Sequence, residues 1–299
     1  MTRALAVVNP AAGGGRTGHG WPRLQKTLGA TLAIDCALTA GPGDGERLAR
    51  EAAAAGAPLV VSVGGDGTLN EVINGVLASG TPATVGAVLT GRGRDACRNF
   101  GVPRDPRAAV RALADGRDAR FDLGLAQWAD GRRRWFAISA GAGFDAAVAR
   151  RAAGFKTRGS VPYVIAVVAS LRAHRPVLAT LEIDGAAEPA TPVTAIVVAN
   201  ARYFGGGMKI APGADPADGL LDVVVLGALG RLELLWWLPT IFSGRHLAHP
   251  RIHVRRARRV RVDAAEALPT QVDGETGGTT PWELSLVPGA LRLRVPRGA

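Results

Sequence analysis

Between Leu59 and Gly75 the chain reads Leu-Val-Val-Ser-Val-Gly-Gly-Asp-Gly-Thr-Leu-Asn-Glu-Val-Ile-Asn-Gly, an apolar run closing in three glycines with an aspartate among them. Where a buried strand gives way to a helix, such a turn lets backbone N–H groups and the helix N-terminus approach a polyphosphate with no Cβ in the way. Asp66 can then engage the metal that accompanies phosphates, and Thr68 can cap the helix or bind a phosphate oxygen. A plain strand-to-helix turn is the bland alternative, but the whole string is far more specific than a lone Gly-Gly pair. Two later acidic turns say less by themselves. Asp215-Pro-Ala-Asp218-Gly219-Leu220 can aim carbonyl and carboxylate oxygens at one hard cation, or be a turn stabilised by its own Asp side chains. Asp273-Gly274-Glu275 reads first as a β-hairpin, because Asp-Gly is a common hairpin signal.

The elements that must hold these residues follow from hydrophobic period. Leu5 to Val8, Thr31 to Cys36, Leu59 to Val63 and Thr84 to Leu89 are short apolar runs, as strands buried on both faces should be. Amphipathic stretches separate them. After the third run, Leu69, Val72, Ile73, Val76 and Leu77 form one helical stripe, with Asn70, Glu71 and Asn74 expected to face elsewhere. Strand and helix in alternation predict a parallel sheet that binds ligands at the carboxyl ends of its strands. After Asp122 the texture changes. Runs from Val177 to Ile183, Thr194 to Ala199, Leu220 to Leu226, Ile252 to Val262 and Glu283 to Val295 alternate with Asp-Gly and Pro-Gly turns, predicting a mainly antiparallel β domain. Helices are expected from Asp145 to Ala153 and from Leu232 to Phe242. The expected division is 1–122, an α/β nucleotide-binding domain, and 123–299, a β-sandwich-like domain whose last strand can return to the first.

Composition narrows the function classes. With 47% apolar and 20% charged residues in 299, the chain is a folded globular protein of about two domains. The net charge of +11 invites nucleic acid or anionic membrane as partner. That reading is discounted, because 33 of the 36 basic residues are Arg in a chain rich in Ala, Gly and Pro, as a biased genome would produce. No nucleic-acid partner is expected. Two cysteines, Cys36 and Cys97, are too few for a disulfide framework or zinc cage, and the start shows no secretory pattern, so a cytoplasmic location is expected. The apolar stretches at Val161 to Leu171 and Leu234 to Phe242 fall short of the ~20 residues that span a bilayer, leaving only peripheral membrane contact.

Gly64 to Gly75 resembles the signature of the diacylglycerol kinase catalytic domain, shared by bacterial lipid kinases and more distantly by sphingosine and ceramide kinases. The resemblance runs through most of the chain: Asn9-Pro10 with Gly13 to Gly15, Thr39, Gly143 to Ala146, Val198 to Pro212 with Asp215 to Asp222, and Asp273-Gly274-Glu275. It implies an α/β nucleotide domain, a lipid domain, a cleft between them, and transfer of the γ-phosphate of ATP to a lipid hydroxyl with Mg²⁺. By position, Asn9, Thr39 and Gly64, Gly65, Asp66, Gly67, Thr68, Leu69, Asn70 and Glu71 would bind ATP, with Gly91 and Arg92 on the next loop. Glu275 would accept the hydroxyl proton with Asp273 beside it, Asp66 serving the phosphates. Asp218, with the carbonyls of Asp215 and Leu220, would hold a structural Mg²⁺.

The chain also departs from the family. Leu89-Thr-Gly91-Arg92-Gly93-Arg94-Asp95 stands where the family usually has Pro-Leu-Gly-Thr-Gly-Asn-Asp, so Arg92 replaces a nucleotide-contacting Thr and Arg94 an Asn. Altered rather than abolished ATP binding is expected, since a planar guanidinium binds phosphate well. Ile138, where many members have Asn, has no evident consequence in the sequence. Two rival functions stay open: an NAD kinase, which shares the Gly-Gly-Asp-Gly-Thr turn, and a non-catalytic nucleotide- and lipid-binding protein. Asn70-Glu71 and the Tyr203 to Pro212 block favour the lipid kinase over the first; Asp66, Glu275 and Asp218 argue against the second. His246, His249 and His253 with seven arginines from Arg245 to Arg261 read either as a lipid-facing patch or as a solvated hairpin face. Trp236 and Trp237 read as core packing in preference to an interfacial helix.

Overall fold

A computed structural model describes residues 3–153 and 160–298. The chain forms two compact units, Met1–Asp122 with Pro288–Ala299, and Leu123–Val287. The first unit begins β1 (Ala4–Val8), α1 (Arg16–Thr31), β2 (Ile34–Leu38), α2 (Asp44–Ala54), β3 (Leu59–Gly64) and α3 (Asp66–Ala78). It continues with β4 (Thr84–Leu89), α4 (Asp95–Phe100) and α5 (Pro106–Asp115), and β5 (Arg117–Trp128) leads into the second unit. There follow β6 (Arg133–Phe136), β7 (Ser139–Gly143), α6 (Phe144–Ala153), α7 (Ser160–Ala173), β8 (Val177–Ile183), β9 (Ala186–Ala187), β10 (Thr191–Ala199) and β11 (Leu221–Gly227). The last elements are α8 (Arg231–Trp237), β12 (Ile252–Ala257), β13 (Arg259–Ala264), β14 (Pro269–Val272), β15 (Glu275–Thr279) and β16 (Trp282–Val295), the end of which belongs to the first unit.

In the first unit β1 pairs in parallel with both β2 and β3, β3 with β4, and β4 with the end of β16 through Leu293 and Val85. The chain therefore leaves β1 to one side for β2 and to the other for β3. In open α/β sheets, ligands bind outside the carboxyl ends of the strands at such a switch point. Every residue of β3 and β4 is buried, which is why their sequences are continuous apolar runs. β2 starts three residues later than the expected run at Thr31, because α1 continues through Thr31 before the chain extends at Leu32. α3 is buried on more than the one expected stripe: Asn70 and Asn74 are enclosed, and Asn74 Nδ2 donates to the Asn70 carbonyl at 2.9 Å. The cause is α2, which packs on the outer side of α3. Their approach is so close that a Cβ on Gly75 would run into the Glu46 carbonyl.

The second unit is antiparallel. β10 is flanked by β7 and β11, and β13 pairs with β8 and with the start of β16. Successive residues of β10 face two different cores. Ile196 and Val198 join Phe136, Trp128 and Trp282 on one side. Ala195, Val197 and Ala199 join residues of α6, α7 and α8 on the other. A strand with apolar neighbours on both faces cannot alternate apolar with polar, which explains the run Ala-Ile-Val-Val-Ala. The expected strand from Ile252 to Val262 is two, β12 and β13, broken at Arg258. The expected helix from Leu232 to Phe242 ends at Trp237 and continues as a 3-10 turn, Leu238–Phe242, with Pro239 near its start. Among the described residues no helix is long and apolar enough to cross a membrane.

Candidate functional site

The carboxyl ends of β1 to β4 carry most of the residues singled out for nucleotide binding. Asn9 follows β1; its N–H donates to the Val63 carbonyl at 2.9 Å and its Nδ2 to Thr68 Oγ1 at 3.1 Å, tying the β1 loop to the first turn of α3. Thr39 follows β2, buried, with its N–H on the Val8 carbonyl. Gly64 closes β3, and a Cβ there would lie 2.5 Å from Thr68 Oγ1. The β4 loop folds onto the same turn. Thr90 and Gly91 both donate their N–H to the Gly64 carbonyl, at 2.8 and 3.1 Å. A Cβ on Gly91 would be 2.7 Å from Gly65 Cα, and one on Gly93 would be 2.8 Å from Asp66 Oδ2. These positions are glycine because two backbones and a carboxylate need the space.

Asp66 opens α3, where the helix N-terminus favours negative charge. Its Oδ1 accepts the Ala96 N–H at 3.1 Å, while Oδ2 has no hydrogen-bond partner among the described residues. Gly65, Asp66 and Gly67 are half-buried and reach the surface. Three other expected contacts are not brought to this surface. Leu69 and Asn70 are buried in the helix packing, and Glu71 points back to α2. There its two oxygens accept the N–H groups of Gly43 and Gly45 at 2.9 and 3.0 Å, so Glu71 supplies the cap that α2 lacks locally.

Beside the Asp66 turn lies a groove of about 440 Å³ lined by Arg16, Arg92, Arg94, Arg98 and Arg104 with Gly91 and Gly93. Arg98 pairs with the buried Asp95 at 2.8 Å. Arg94 sits at φ 51°, in the left-handed region. Asn tolerates that conformation better than most residues, which accounts for the family's usual Asn there. Arg94 is held in it by donating Nε to the Gly91 carbonyl at 2.9 Å and Nη1 to the Arg104 carbonyl at 3.2 Å. Arg16, Arg92 and Arg104 are exposed and pair with no carboxylate among the described residues. The sequence reading missed Arg16, Arg98 and Arg104. The signal was available in the spacing of Arg92, Arg94, Arg98 and Arg104 within a short loop-rich segment and in Arg16 directly after three glycines.

In the second unit Asp273, at φ 48°, turns between β14 and β15. Its Oδ2 accepts the Ala137 N–H at 2.8 Å, and its Oδ1 accepts those of Ile138 and Ser139 at 3.0 and 2.9 Å. Asp273 therefore acts as the pin that fixes the hairpin to the start of β7, and Ile138 takes part through its backbone. Glu275 is exposed, paired with Arg134 Nη2 at 2.9 Å. A third group supports the same hairpin. Gln271 Oε1 accepts the Gly274 N–H at 2.8 Å, while its Nε2 donates to Asp145 Oδ2 at 3.2 Å.

Asp145 Oδ1 is buried with no partner among the described residues, and burial pushes this carboxyl up to about 6, against the Gln271 hydrogen bond. A raised carboxyl costs stability once ionised. Below the ordinary value of 3.8 both folded and unfolded forms are neutral and no cost arises; as pH rises past about 6 the cost becomes full. Asp145→Asn is therefore expected to stabilise the protein by roughly 3 kcal/mol at pH 7, two pKa units at 1.36 kcal/mol each, and by little at pH 4. Melting temperatures at the two pH values check this; an equal shift at both would remove ionisation as the cause.

The Asp215 turn gathers oxygens. Asp215 Oδ1 accepts the Ala217 N–H and Asp218 Oδ1 the Leu220 N–H, both at 3.0 Å, and the Asp215 carbonyl takes the Asp218 N–H. Asp218 Oδ2 meets Arg256 Nη2, and Asp222 Oδ1 lies 3.7 Å from Arg256 Nε. Burial raises the Asp222 carboxyl, Arg256 opposes the rise, and Asp218 adds to it. The set is all hard oxygen and calls for positive charge, which suits Mg²⁺; the Arg256 guanidinium meets that demand at Asp218. Among the described residues no three His, Cys, Asp or Glu side chains cluster, so a metal here would rely on carbonyl oxygens and water.

Residues 3–126 match the family described as the diacylglycerol kinase catalytic domain, and residues 138–295 the YegS C-terminal NAD kinase beta sandwich-like domain. The chain belongs to the diacylglycerol kinase family of lipid kinases. It is 34% identical over 301 residues to a diacylglycerol kinase of Mycobacterium tuberculosis, covering 99% of this chain and 96% of the relative. A diacylglycerol kinase of Bacillus subtilis is 28% identical, over 95% and 93% of the two chains. A crystal structure of a Bacillus anthracis diacylglycerol kinase superposes with TM-score 0.74 at 19% identity, over 98% of this chain and 97% of the other. An Archaeoglobus fulgidus NAD kinase solved with ATP shares the fold more distantly, with TM-score 0.52 at 14% identity over 97% and 92% of the chains.

Proposed function

We propose that this lipid kinase transfers the γ-phosphate of ATP to the hydroxyl of diacylglycerol or a related neutral lipid, with Mg²⁺. The observation that carries the reading is the Gly64 to Thr68 turn at the sheet's switch point, with Asp66 at the N-terminus of α3 and the arginine groove beside it. Phosphoryl transfer needs positioned phosphates, neutralised charge and an acceptor for the hydroxyl proton. Backbone N–H groups of the turn and the free guanidinium groups of Arg16, Arg92 and Arg104 serve the first two. Glu275 serves the third, held by Arg134 on a hairpin that Asp273 and Gln271 fix in place. Mg²⁺ would add electrostatic stabilisation at the phosphates near Asp66; a structural ion would be held by Asp218 with the carbonyls of Asp215 and Leu220, displacing Arg256.

The test is incubation of the purified protein with labelled ATP, Mg²⁺, a panel of lipids and NAD, followed by separation of products. A labelled lipid phosphate supports the reading and names the acceptor. Labelled NADP would instead support the NAD kinase reading that the shared fold allows, and no product would leave a binding protein. Arg92→Ala is expected to weaken ATP binding by about 1 to 3 kcal/mol, the range for a hydrogen bond to a charged group. Calorimetry checks this; unchanged affinity would make Arg92 a surface substitution without a part in the site.

A further inference from the structure

The helices of the second unit show their apolar character on the wrong side for a protein in water. Leu234 of α8 and Ile241 of the turn after it are buried in the core with Ala166, Val167 and Leu171 of α7. The core contact of both helices is thus met. Yet Leu232 and Trp236, one turn apart on α8, are 83% and 84% exposed, and Leu235, Phe242 and, on the neighbouring α7, Ile165 and Val168 are exposed as well. Trp236 is therefore not the core residue that the sequence suggests; only Trp237 turns inward, its ring edge-on to His249 at 4.9 Å. Single exposed apolar residues need no explanation, but a group of them on two adjacent helices marks an interaction surface.

The charge around this face indicates what it meets. From Ser160 to Leu178 there is no acidic residue, and from Gly230 to Arg256 the only one is Glu233. Glu233 is already engaged by the buried His249 at 2.8 Å and by Arg251 at 3.1 Å. Arg172, Arg231 and Arg245 are exposed, and none pairs with a carboxylate among the described residues. An apolar aromatic face rimmed by unpaired arginines matches an interface with acyl chains below and anionic headgroups above. We infer that the α7–α8 face docks on an anionic lipid bilayer, with Trp236 and Leu232 entering the headgroup region and the three arginines at the phosphates. The inference deepens the lipid-kinase reading, since the acceptor would be drawn from that bilayer.

The experiment measures sedimentation of the full chain with vesicles of phosphatidylcholine alone or mixed with phosphatidylserine, without ATP or diacylglycerol, so that a failed kinase assignment leaves the result readable. Binding to the mixed vesicles is expected, falling at least about tenfold in the variant carrying Leu232→Ser and Trp236→Ser, because affinity scales with buried apolar area. Both side chains lie outside the core, and circular dichroism verifies that the variant folds. Phosphorylation of a short-chain, dissolved acceptor should be unchanged in that variant while phosphorylation of vesicle-borne acceptor falls. A combined Arg172→Gln, Arg231→Gln and Arg245→Gln variant should lose the preference for phosphatidylserine. Equal vesicle binding by wild type and the Leu232/Trp236 variant would overturn the inference. So would light scattering that shows a dimer in the wild type and a monomer in that variant with vesicle binding intact, because the face would then join two copies.

Discussion

Asp66→Ala is expected to lower kcat roughly 10³-fold or more, the scale of removing one electrostatic element from a phosphoryl- or acyl-transfer site, with the fold intact. The physical reason is placement. Asp66 sits half-buried at the first turn of α3 with Oδ2 unengaged among the described residues, so its carboxylate would be available to the cation that accompanies the phosphates. The substitution also removes the acceptor for the Ala96 N–H, which lies 3.1 Å from Oδ1. Asp66→Asn separates the two effects, because an amide oxygen can still accept that hydrogen bond but carries no charge. Both variants should lose turnover to a similar extent, and Asn should retain the wild-type melting temperature better than Ala. Steady-state kinetics with the lipid acceptor measures this. Near-normal turnover in both would take Asp66 out of the mechanism, and full activity in Asn alone would reduce it to a loop support.

The second large effect belongs to Glu275. An alcohol is a poor nucleophile at neutral pH, so a carboxylate within hydrogen-bond reach of the acceptor can take its proton as the bond to phosphorus forms. Of the two carboxylates in the Asp273-Gly274-Glu275 turn, Asp273 is committed to three backbone N–H groups, whereas Glu275 is exposed on the first residue of β15. Of the two, Glu275 is therefore the one proposed as the base. Glu275→Gln keeps the shape and is expected to lower kcat by roughly 10² to 10⁴, the range of general-base removal, with ATP affinity little changed. Asp273→Asn should act differently: it weakens the pin on the hairpin, so it should lower the melting temperature as well as activity. If Glu275→Gln abolished ATP binding and left kcat at saturation near wild type, Glu275 would belong to the nucleotide site instead.

The sequence by itself determined the alternation of strand and helix in the first unit and the glycine turn from Gly64 to Gly67, though not every element or boundary. Continuous apolar runs at Leu59 to Val63 and Thr84 to Leu89 require burial on both faces, hence a parallel sheet, and three glycines after such a run require a close backbone approach. Local rules of this kind survive folding because they concern neighbours in the chain. Contacts between distant segments were another matter. Glu71 belongs to the signature string, yet it caps α2, since only the packing of α2 on α3 brings Gly43 and Gly45 to it. Asp273 reads as a hairpin residue until β14 pairs with β7 and sets three N–H groups around its carboxylate. The arginine groove needed the loops after β1 and β4 to converge, and the Arg94 conformation there is held by hydrogen bonds to carbonyls three and ten residues away in sequence. Trp236 and Trp237 lie in a run, Leu232 to Phe242, that is apolar at most positions, so periodicity does not choose which of the two faces inward. One lies outward and one inward because α8 is seated on the core by Leu234, and that seating is decided by the tertiary structure alone.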